Sequence, residues 1–212
     1  MNTAIRPGLP ERDPRATLSL AGYRRQIADL YTEVRHLDPA LGHEHWKAGR
    51  DRLFGSHPQS AVPAQQRAGF DGLPLYEYDP ALRFECVVEP AEPLTLALPH
   101  SGTGTTPAFA FGNVSFSVDQ TPATLTLFWL DEYGGGIFLP FRDLTNGSET
   151  YGGGRYLLDG AKGADLGSDA DTITLDFNFA YHPSCVHDSQ WSCPLAPPQN
   201  HLDVAIRGGE RL

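Results

Sequence analysis

The sequence predicts a mainly β (α+β) fold, an antiparallel β-barrel or sandwich that carries a helical layer at its N-terminus. In the first third of the 212 residues, apolar side chains recur at three- and four-residue spacing, which is typical of amphipathic helices. From Phe70 onward the period changes to two, as expected for half-buried strands. The 22 glycines and 18 prolines are spread in turn-like positions, which favours many short strands over long helices.

Three segments are expected along the chain. Residues 1–17 carry three prolines among charged side chains and are predicted to be a disordered arm. Residues 18–69 are predicted to form the helical layer, and residues 70–212 an antiparallel β domain. The helical layer and the β domain are expected to pack as one unit.

Two helices are expected in the helical layer. The first has Ser19 as its N-cap and ends at Asp38-Pro39, because proline restricts the residue before it. The second covers about residues 43–54, with Trp46, Leu53 and Phe54 on one side. The apolar face of the first helix is formed by residues at helical spacing: Tyr23, Ile27, Leu30, Tyr31, Val34 and Leu37.

Nine segments of the β domain read as strands: 75–78, 83–88, 94–98, 108–118, 124–130, 136–140, 155–158, 172–177 and 204–206. Residues 131–135 read as a hairpin turn between two of them. Four phenylalanines are expected to fill the core of the barrel or sandwich: Phe109, Phe111, Phe116 and Phe128.

The charge balance argues against several classes of partner. The net charge is -10, so no basic surface is expected to bind nucleic acid or an anionic membrane. No apolar run approaches the roughly 18 residues of a membrane span, and the N-terminus lacks the apolar region of a signal peptide. We therefore expect a cytoplasmic protein, a location that the odd number of cysteines fits. Exposed strand edges would be compatible with a homodimer.

The most polar stretch spans residues 138–156 and reads FLPFRDLTNGSETYGGGRY. Its three consecutive glycines allow close approach of the backbone to another group, and Arg142 and Arg155 could hold a carboxylate or phosphate bidentately. A small anionic ligand is therefore one interpretation. The alternative is a tight β-turn in which the two arginines pair with nearby carboxylates, namely Asp143, Glu149 or Asp176.

A second cluster follows in residues 175–202, where His182, Cys185, His187 and Cys193 fall within twelve residues. Thiolates and imidazoles are ligands that zinc prefers, although this spacing matches no common structural zinc motif. Structural thiols, a Cys185–Cys193 disulfide and a zinc or iron site all remain open, and no cofactor is predicted. Cys185 beside a histidine could also act as a nucleophile.

The segments FLPFRDLTNGSETYGGGRYL, LDFNFAYHPSC and CPLAPPQNHLDVAIRGGER resemble the family catalogued as domain of unknown function 1684, found in bacteria and archaea. The resemblance extends from about Tyr23 to the C-terminus and implies no assigned activity. Where the family pattern has asparagine and tyrosine, this chain has His182 and His187. The residues that match the pattern become the predicted ligand-binding set: Arg142, Asp143, Glu149, Thr150, Tyr151, Arg155, Tyr156, Asp176, Asn178, Tyr181 and Asn200.

Three functions remain open at this stage. The first is a binding protein or enzyme for a small anionic molecule, with Glu149 or Asp176 as general acid or base and Tyr151 and Tyr181 as hydrogen-bond donors. The second is a structural or interaction protein in which the polar cluster stabilises the fold. The third is a metal- or thiol-dependent enzyme that uses the His/Cys cluster, with Cys185 as its reactive group.

Overall fold

The computed structural model describes residues 13–212, and the helical layer there consists of α1, Pro14–Val34, and α2, Pro39–Ser56. Each helix has proline in its first turn and an aspartate as N-cap, since Asp13 accepts from Arg15 N at 3.0 Å and Asp38 from Ala40 N at 3.1 Å. The predicted N-cap, Ser19, was wrong because Asp13 caps the helix earlier. Residues 14–17 of the predicted arm are therefore helical, and residues 1–12 of that arm lie outside the described residues.

The two helices cross at close range. A Cβ atom on Gly49 would lie 2.6 Å from Leu30 Cδ1, so α2 can approach α1 only because residue 49 has no side chain. Trp46 of α2 is fully buried and donates its indole N–H to the hydroxyl of Tyr31 on α1 at 3.0 Å. The helical layer is thus a packed pair with one apolar face left for the sheet.

Seven strands form two antiparallel sheets: β1 Arg83–Val87, β2 Glu89–Pro99, β3 Thr105–Val118, β4 Thr121–Leu130, β5 Ile137–Phe141, β6 Arg155–Asp159 and β7 Thr172–Asp176. The larger sheet has the order β2-β3-β4-β5-β6, and β1 pairs with β7 in a separate two-stranded sheet. The described strands therefore form open sheets and do not close into a barrel. The prediction of a mainly antiparallel α+β fold is confirmed.

Two of the nine predicted strands were wrong. Leu75 makes an isolated bridge with Glu210, and Val204 accepts a single backbone hydrogen bond from Leu144 N at 3.2 Å. Segments 75–78 and 204–206 therefore contact neighbouring chain at single points instead of forming a ladder. The other seven predicted segments correspond to β1–β7.

The sheet faces two apolar cores. One core lies against the helices and combines α1 and α2 side chains with Ala108, Phe128 and Phe138. The other lies between the sheets and includes Phe116 and Leu125. Strands β3 and β4 are long enough to contribute to both. Phe109, predicted to be in the core, is 37% exposed because strand alternation places it opposite the buried Ala108 and Ala110.

Neither α1 nor α2, nor any other helix within residues 13–212, combines the length and the apolar character needed to cross a membrane.

Candidate functional site

The strongest polar interaction predicted from the sequence is the pair of Arg155 and Asp143. Their side chains are fully buried and joined by a hydrogen bond from Arg155 Nη2 to Asp143 Oδ2 at 2.9 Å. The guanidinium also donates to the carbonyls of Ile206 at 2.7 Å, Gly208 at 2.5 Å and Glu210 at 3.1 Å. Asp143 in turn accepts from Ile206 N at 3.2 Å. The pair therefore holds residues 206–210 against the start of β6.

Burial acts to lower the pKa of the Arg155 guanidinium, and the Asp143 carboxylate opposes that effect. Arg155 Nε is buried and finds no hydrogen-bond acceptor within residues 13–212. The other donors of Arg155 are already used by the carboxylate and the three carbonyls. Few donors are therefore left for an external anion.

The loop between β5 and β6 is stabilised by its own side chains. Thr150 Oγ1 contacts Thr145 Oγ1 at 2.8 Å and accepts from Asn146 Nδ2 at 2.9 Å. Asn146 Nδ2 also donates to the carbonyl of Tyr151 at 2.8 Å, while its Oδ1 accepts from Asp143 N at 2.6 Å. Thr150 thus closes the turn that positions Asp143.

Glu149 and Arg142 lie away from this buried network. Glu149 accepts two hydrogen bonds from Arg207, at 2.9 and 2.7 Å, and one from Tyr76 OH at 3.0 Å. Arg207 and then Tyr76 lower the pKa of Glu149, so it stays ionised and is a poor general base. Among the described residues, Arg142 forms hydrogen bonds only through its backbone, with Asn200 O and Leu202 N.

Asp176 and Asn178 connect the end of β7 to the turn before β1. Asp176 Oδ1 accepts from Asn178 N at 3.0 Å and Nδ2 at 2.8 Å, and Asn178 binds the backbone of Asp79 through both ends of its amide. Burial raises the pKa of Asp176. Its Oδ2 has no hydrogen bond within the described chain, and Arg83 Nη1 lies 3.6 Å away. Asp176 lines neither cavity described below.

Tyr156 and Asn200 also bind backbone groups. Asn200 donates to the carbonyls of Thr126 at 2.9 Å and Pro140 at 2.8 Å, next to the register shift between β5 and β6. Tyr156 OH donates to the carbonyl of Pro194. Tyr181 exchanges backbone hydrogen bonds with Tyr156, and its hydroxyl is 3.4 Å from Asp159 Oδ2.

A second buried ion pair, between Arg50 and Glu210, joins α2 to the C-terminal segment. Arg50 Nε donates to Glu210 Oε1 at 3.1 Å, and Nη2 donates to the same oxygen. The other carboxylate oxygen accepts from His182 N at 2.7 Å. Burial lowers the pKa of His182 to about 4, so this imidazole is neutral and its Nε2 accepts from Tyr151 N at 3.2 Å.

The larger cavity, about 570 Å³, lies between α1, α2 and the loops at one end of the five-stranded sheet. Its apolar wall includes Leu20, Ile27 and Phe54. The polar groups that line it come mainly from residues outside the predicted set: Tyr23, Arg24, Tyr31, Arg50, Gln59, Glu132, Lys162, Ser184 and Trp191. Of the eleven predicted ligand-binding residues, only Tyr181 lines it.

Three lining groups have free hydrogen-bonding capacity. Arg50 Nη1 and the hydroxyl of Tyr23 make no hydrogen bond to any residue in 13–212. The buried indole nitrogen of Trp191 likewise has no acceptor in that range. Lys162 is 56% exposed and lies 3.0 Å from Asp159 Oδ2. A smaller cavity of about 180 Å³ is lined by His182, His187 and Glu210 among others.

The His/Cys cluster is divided between different contacts. His182 binds the Tyr151 amide, and His187 packs edge-on against Phe54 with ring centroids 5.1 Å apart. Cys185 and Cys193 are free thiols. Within residues 13–212, no three His, Cys, Asp or Glu side chains converge to form a group that could hold a metal ion.

A family model described as "Protein of unknown function (DUF1684)" matches residues 68–211. The chain belongs to this family. The solution NMR structure of an uncharacterized protein from Haloarcula marismortui is similar, with 37% sequence identity over 78% of this chain and 90% of that chain and a TM-score of 0.57. No curated protein matches the sequence. The resemblance predicted from the sequence motifs is confirmed.

The DUF1684 match does not include α1 and α2, which supply Tyr23, Tyr31 and Arg50 to the larger cavity. Sequence reasoning missed these residues because it followed the polar density of residues 138–156. One signal was present in α2, where Trp46, Arg50 and Phe54 recur every four residues. A cation on an otherwise aromatic helical face indicates a buried charge that needs a partner.

Proposed function

We propose that this DUF1684 protein binds a small organic anion in the larger cavity. The observation that carries the proposal is a cavity of about 570 Å³ with apolar walls and an arginine that retains an unused donor, Arg50 Nη1. Ligand sites in proteins usually have volumes of about 300–1,000 Å³ and few, well-placed polar groups. The cytoplasmic location expected from the composition forms part of this proposal.

The charges around the cavity favour an anion. Three cations line it, Arg24, Arg50 and Lys162, against one carboxylate, Glu132. The Tyr23 hydroxyl and the Trp191 indole N–H add neutral donors. Such a site suits a carboxylate, sulfonate or phosphate ester attached to an aromatic or aliphatic body, because donors surround the charged end and apolar side chains contact the rest.

The experiment is a fluorescence titration with anilinonaphthalene sulfonate, an aromatic anion, and with phenylnaphthylamine, which lacks the sulfonate. The chain has only two lysines, so Lys162→Met removes the charge at the cavity and Lys47→Met removes the same charge from the exposed surface of α2. We expect Lys162→Met to weaken sulfonate binding by about tenfold, the size of one charge-assisted hydrogen bond. Lys162→Arg should restore it, and Lys47→Met should match the wild type.

Equal affinities for the two lysine variants, or equal binding of the charged and uncharged probes, would reject an anion site in this cavity. Native mass spectrometry of freshly purified protein provides an independent readout, because a small organic molecule retained from the cell adds mass that denaturation removes.

The second candidate function is a structural or interaction protein. It is favoured by the contacts of the predicted polar residues, since Arg155, Asp143, Asn178 and Asn200 direct their side chains to backbone groups of other segments. Under this alternative the larger cavity would remain empty in the purified protein, and neither probe would bind with an affinity that depends on Lys162.

A further inference from the structure

Cys185 and Cys193 are brought together by two separate turns. Cys185 lies in the single helical turn Ser184–Val186, and Cys193 follows the bend at residues 188–191. The position of Cys193 is fixed by Ser101, whose N–H donates to Cys193 O at 2.9 Å and whose hydroxyl accepts from Cys193 N at 3.2 Å. The two thiols are hydrogen-bonded to each other and are both reduced.

Three groups surround the sulfur of Cys185. The thiol of Cys193 and the hydroxyl of Ser101 hydrogen-bond to it, and the hydroxyl of Tyr151 lies 4.0 Å from it. The Cys193 hydrogen bond and then the hydroxyls lower the pKa of Cys185 to about 6 against the effect of burial, whereas the same hydrogen bond raises the pKa of Cys193. The negative charge of the pair therefore resides on Cys185 at neutral pH.

The two thiols also differ in access. Cys193 is 6% exposed, whereas Cys185 is partly exposed. Cys86, the third cysteine, is buried in the core between the sheets, where burial raises the pKa of its thiol. One accessible thiolate beside a protected thiol is the arrangement that reversible thiol oxidation requires, because the first sulfur meets the oxidant and the second resolves the product.

We propose that Cys185 and Cys193 form a redox-active dithiol that a small hydroperoxide oxidises to a disulfide. The Cys185 thiolate attacks the distal peroxide oxygen, the O–O bond breaks, and the alkoxide or hydroxide leaves and takes up a proton, so that sulfur is oxidised to the sulfenic acid and the peroxide is reduced. The Cys193 sulfur then attacks the Cys185 sulfur; the S–S bond forms, the S–O bond breaks and water leaves. Two equivalents of a thiol reductant regenerate the dithiol and are themselves joined as a disulfide.

The partial burial of Cys185 favours a small oxidant over a bulky disulfide. The Tyr151 and Ser101 hydroxyls beside the sulfur can donate hydrogen bonds to the oxygen that leaves. Neither step involves the larger cavity, so this inference is independent of the proposed anion binding.

The test treats the fully reduced full-length protein with one equivalent of hydrogen peroxide and follows its intact mass. The wild type should lose the mass of two hydrogens, and peptide mapping should locate the bond between Cys185 and Cys193. Cys193→Ser should instead gain one oxygen and be trapped by dimedone at Cys185. Cys185→Ser should show neither change, while Cys86→Ser, which removes the buried third cysteine, should behave as the wild type.

A second measurement needs no variant and so does not depend on whether the variants fold. Iodoacetamide alkylation of the reduced wild type, mapped by peptide, should label Cys185 with a rate that is half-maximal near pH 6, whereas a free cysteine reaches that point near pH 8.5. The proposal is overturned if Cys185 alkylates with the profile of a free cysteine. It is equally overturned if peroxide oxidises the wild type without forming the Cys185–Cys193 bond.

Discussion

Arg50 and Glu210 form a buried ion pair although 160 positions separate them in the chain. The guanidinium also lies 5.0 Å from the ring centroid of Trp46, 4.9 Å from that of Phe54 and 4.7 Å from that of Tyr181. Burial acts to lower the pKa of Arg50, but the Glu210 carboxylate outweighs it and the pKa is raised. The helical layer is therefore attached to the β domain through one carboxylate near the C-terminus.

Glu210→Gln should destabilise the protein by about 3–5 kcal/mol, because it leaves the charge of Arg50 buried without a counterion. The measurement is urea denaturation followed by circular dichroism. Glu149→Gln is the matched control, since Glu149 forms its ion pair with Arg207 at the surface, where solvent screens the interaction. It should change stability little. Equal losses for the two variants would contradict the importance given to the buried pair.

Arg155→Lys should also lower stability strongly, since an ammonium group cannot reach Asp143 and three carbonyls together as the planar guanidinium does. Arg142→Lys is the control, because the Arg142 guanidinium makes no hydrogen bond to the described residues, and it should behave as the wild type. The affinity of folded Arg155→Lys for anilinonaphthalene sulfonate should be unchanged. A stable Arg155→Lys protein that no longer binds the probe would place Arg155 in a ligand site.

His182 should make stability fall with acid. Its pKa is about 4 in the folded protein, because of burial, and 6.5 in the unfolded chain. Between these values the unfolded chain binds more protons, so this contribution is complete above about pH 6.5 and is lost as the pH falls towards 4. The difference between the two pKa values corresponds to about 3 kcal/mol.

His182→Asn should therefore flatten the dependence of unfolding free energy on pH between 6.5 and 4, measured by urea denaturation at several pH values. Asparagine can still accept the hydrogen bond from Tyr151 N. His45→Asn, which changes an exposed histidine paired with Glu33, should keep the slope of the wild type. A slope unaffected by His182→Asn would show that other groups cause the acid sensitivity.

Gly209→Ala should destabilise the protein more than Gly147→Ala. Both glycines have positive φ angles, 75° and 84°, so each substitution adds backbone strain of about 1–2 kcal/mol. At Gly147 an added Cβ would meet nothing within 4 Å, whereas at Gly209 it would lie 2.2 Å from the carbonyl oxygen of Ala180. The difference in melting temperature between the two variants isolates the steric contact, and equal values would contradict it.

Local patterns predicted the elements of this fold better than its long-range pairing. Alternation located β3 and β4, because cross-strand packing acts on every second residue. Segment 75–78 has the same pattern but meets only a single bridging residue, Glu210, so it forms no ladder. Composition cannot distinguish these cases, since a strand depends on a partner that lies far along the chain.

The candidate site shows the same limit. The polar stretch of residues 138–156 was identified correctly as a place of dense interaction, but most of its side chains bind backbone of residues 181–210. The cavity is formed where α1 and α2 pack beside the loops at residues 130–135 and 160–164, and no short segment contains its lining. Such a site follows from tertiary packing, which spacing within a sequence does not encode.

The order of synthesis gives the Arg50–Glu210 pair a further consequence. A ribosome delivers α2 long before residue 210, so the nascent chain carries the Arg50 charge without the carboxylate that neutralises it in the folded protein. Docking of the helical layer before that point would bury an unpaired cation, which is strongly unfavourable. We therefore expect the helices to remain hydrated and accessible to chaperones until residues 206–210 leave the exit tunnel, so that folding completes late in translation.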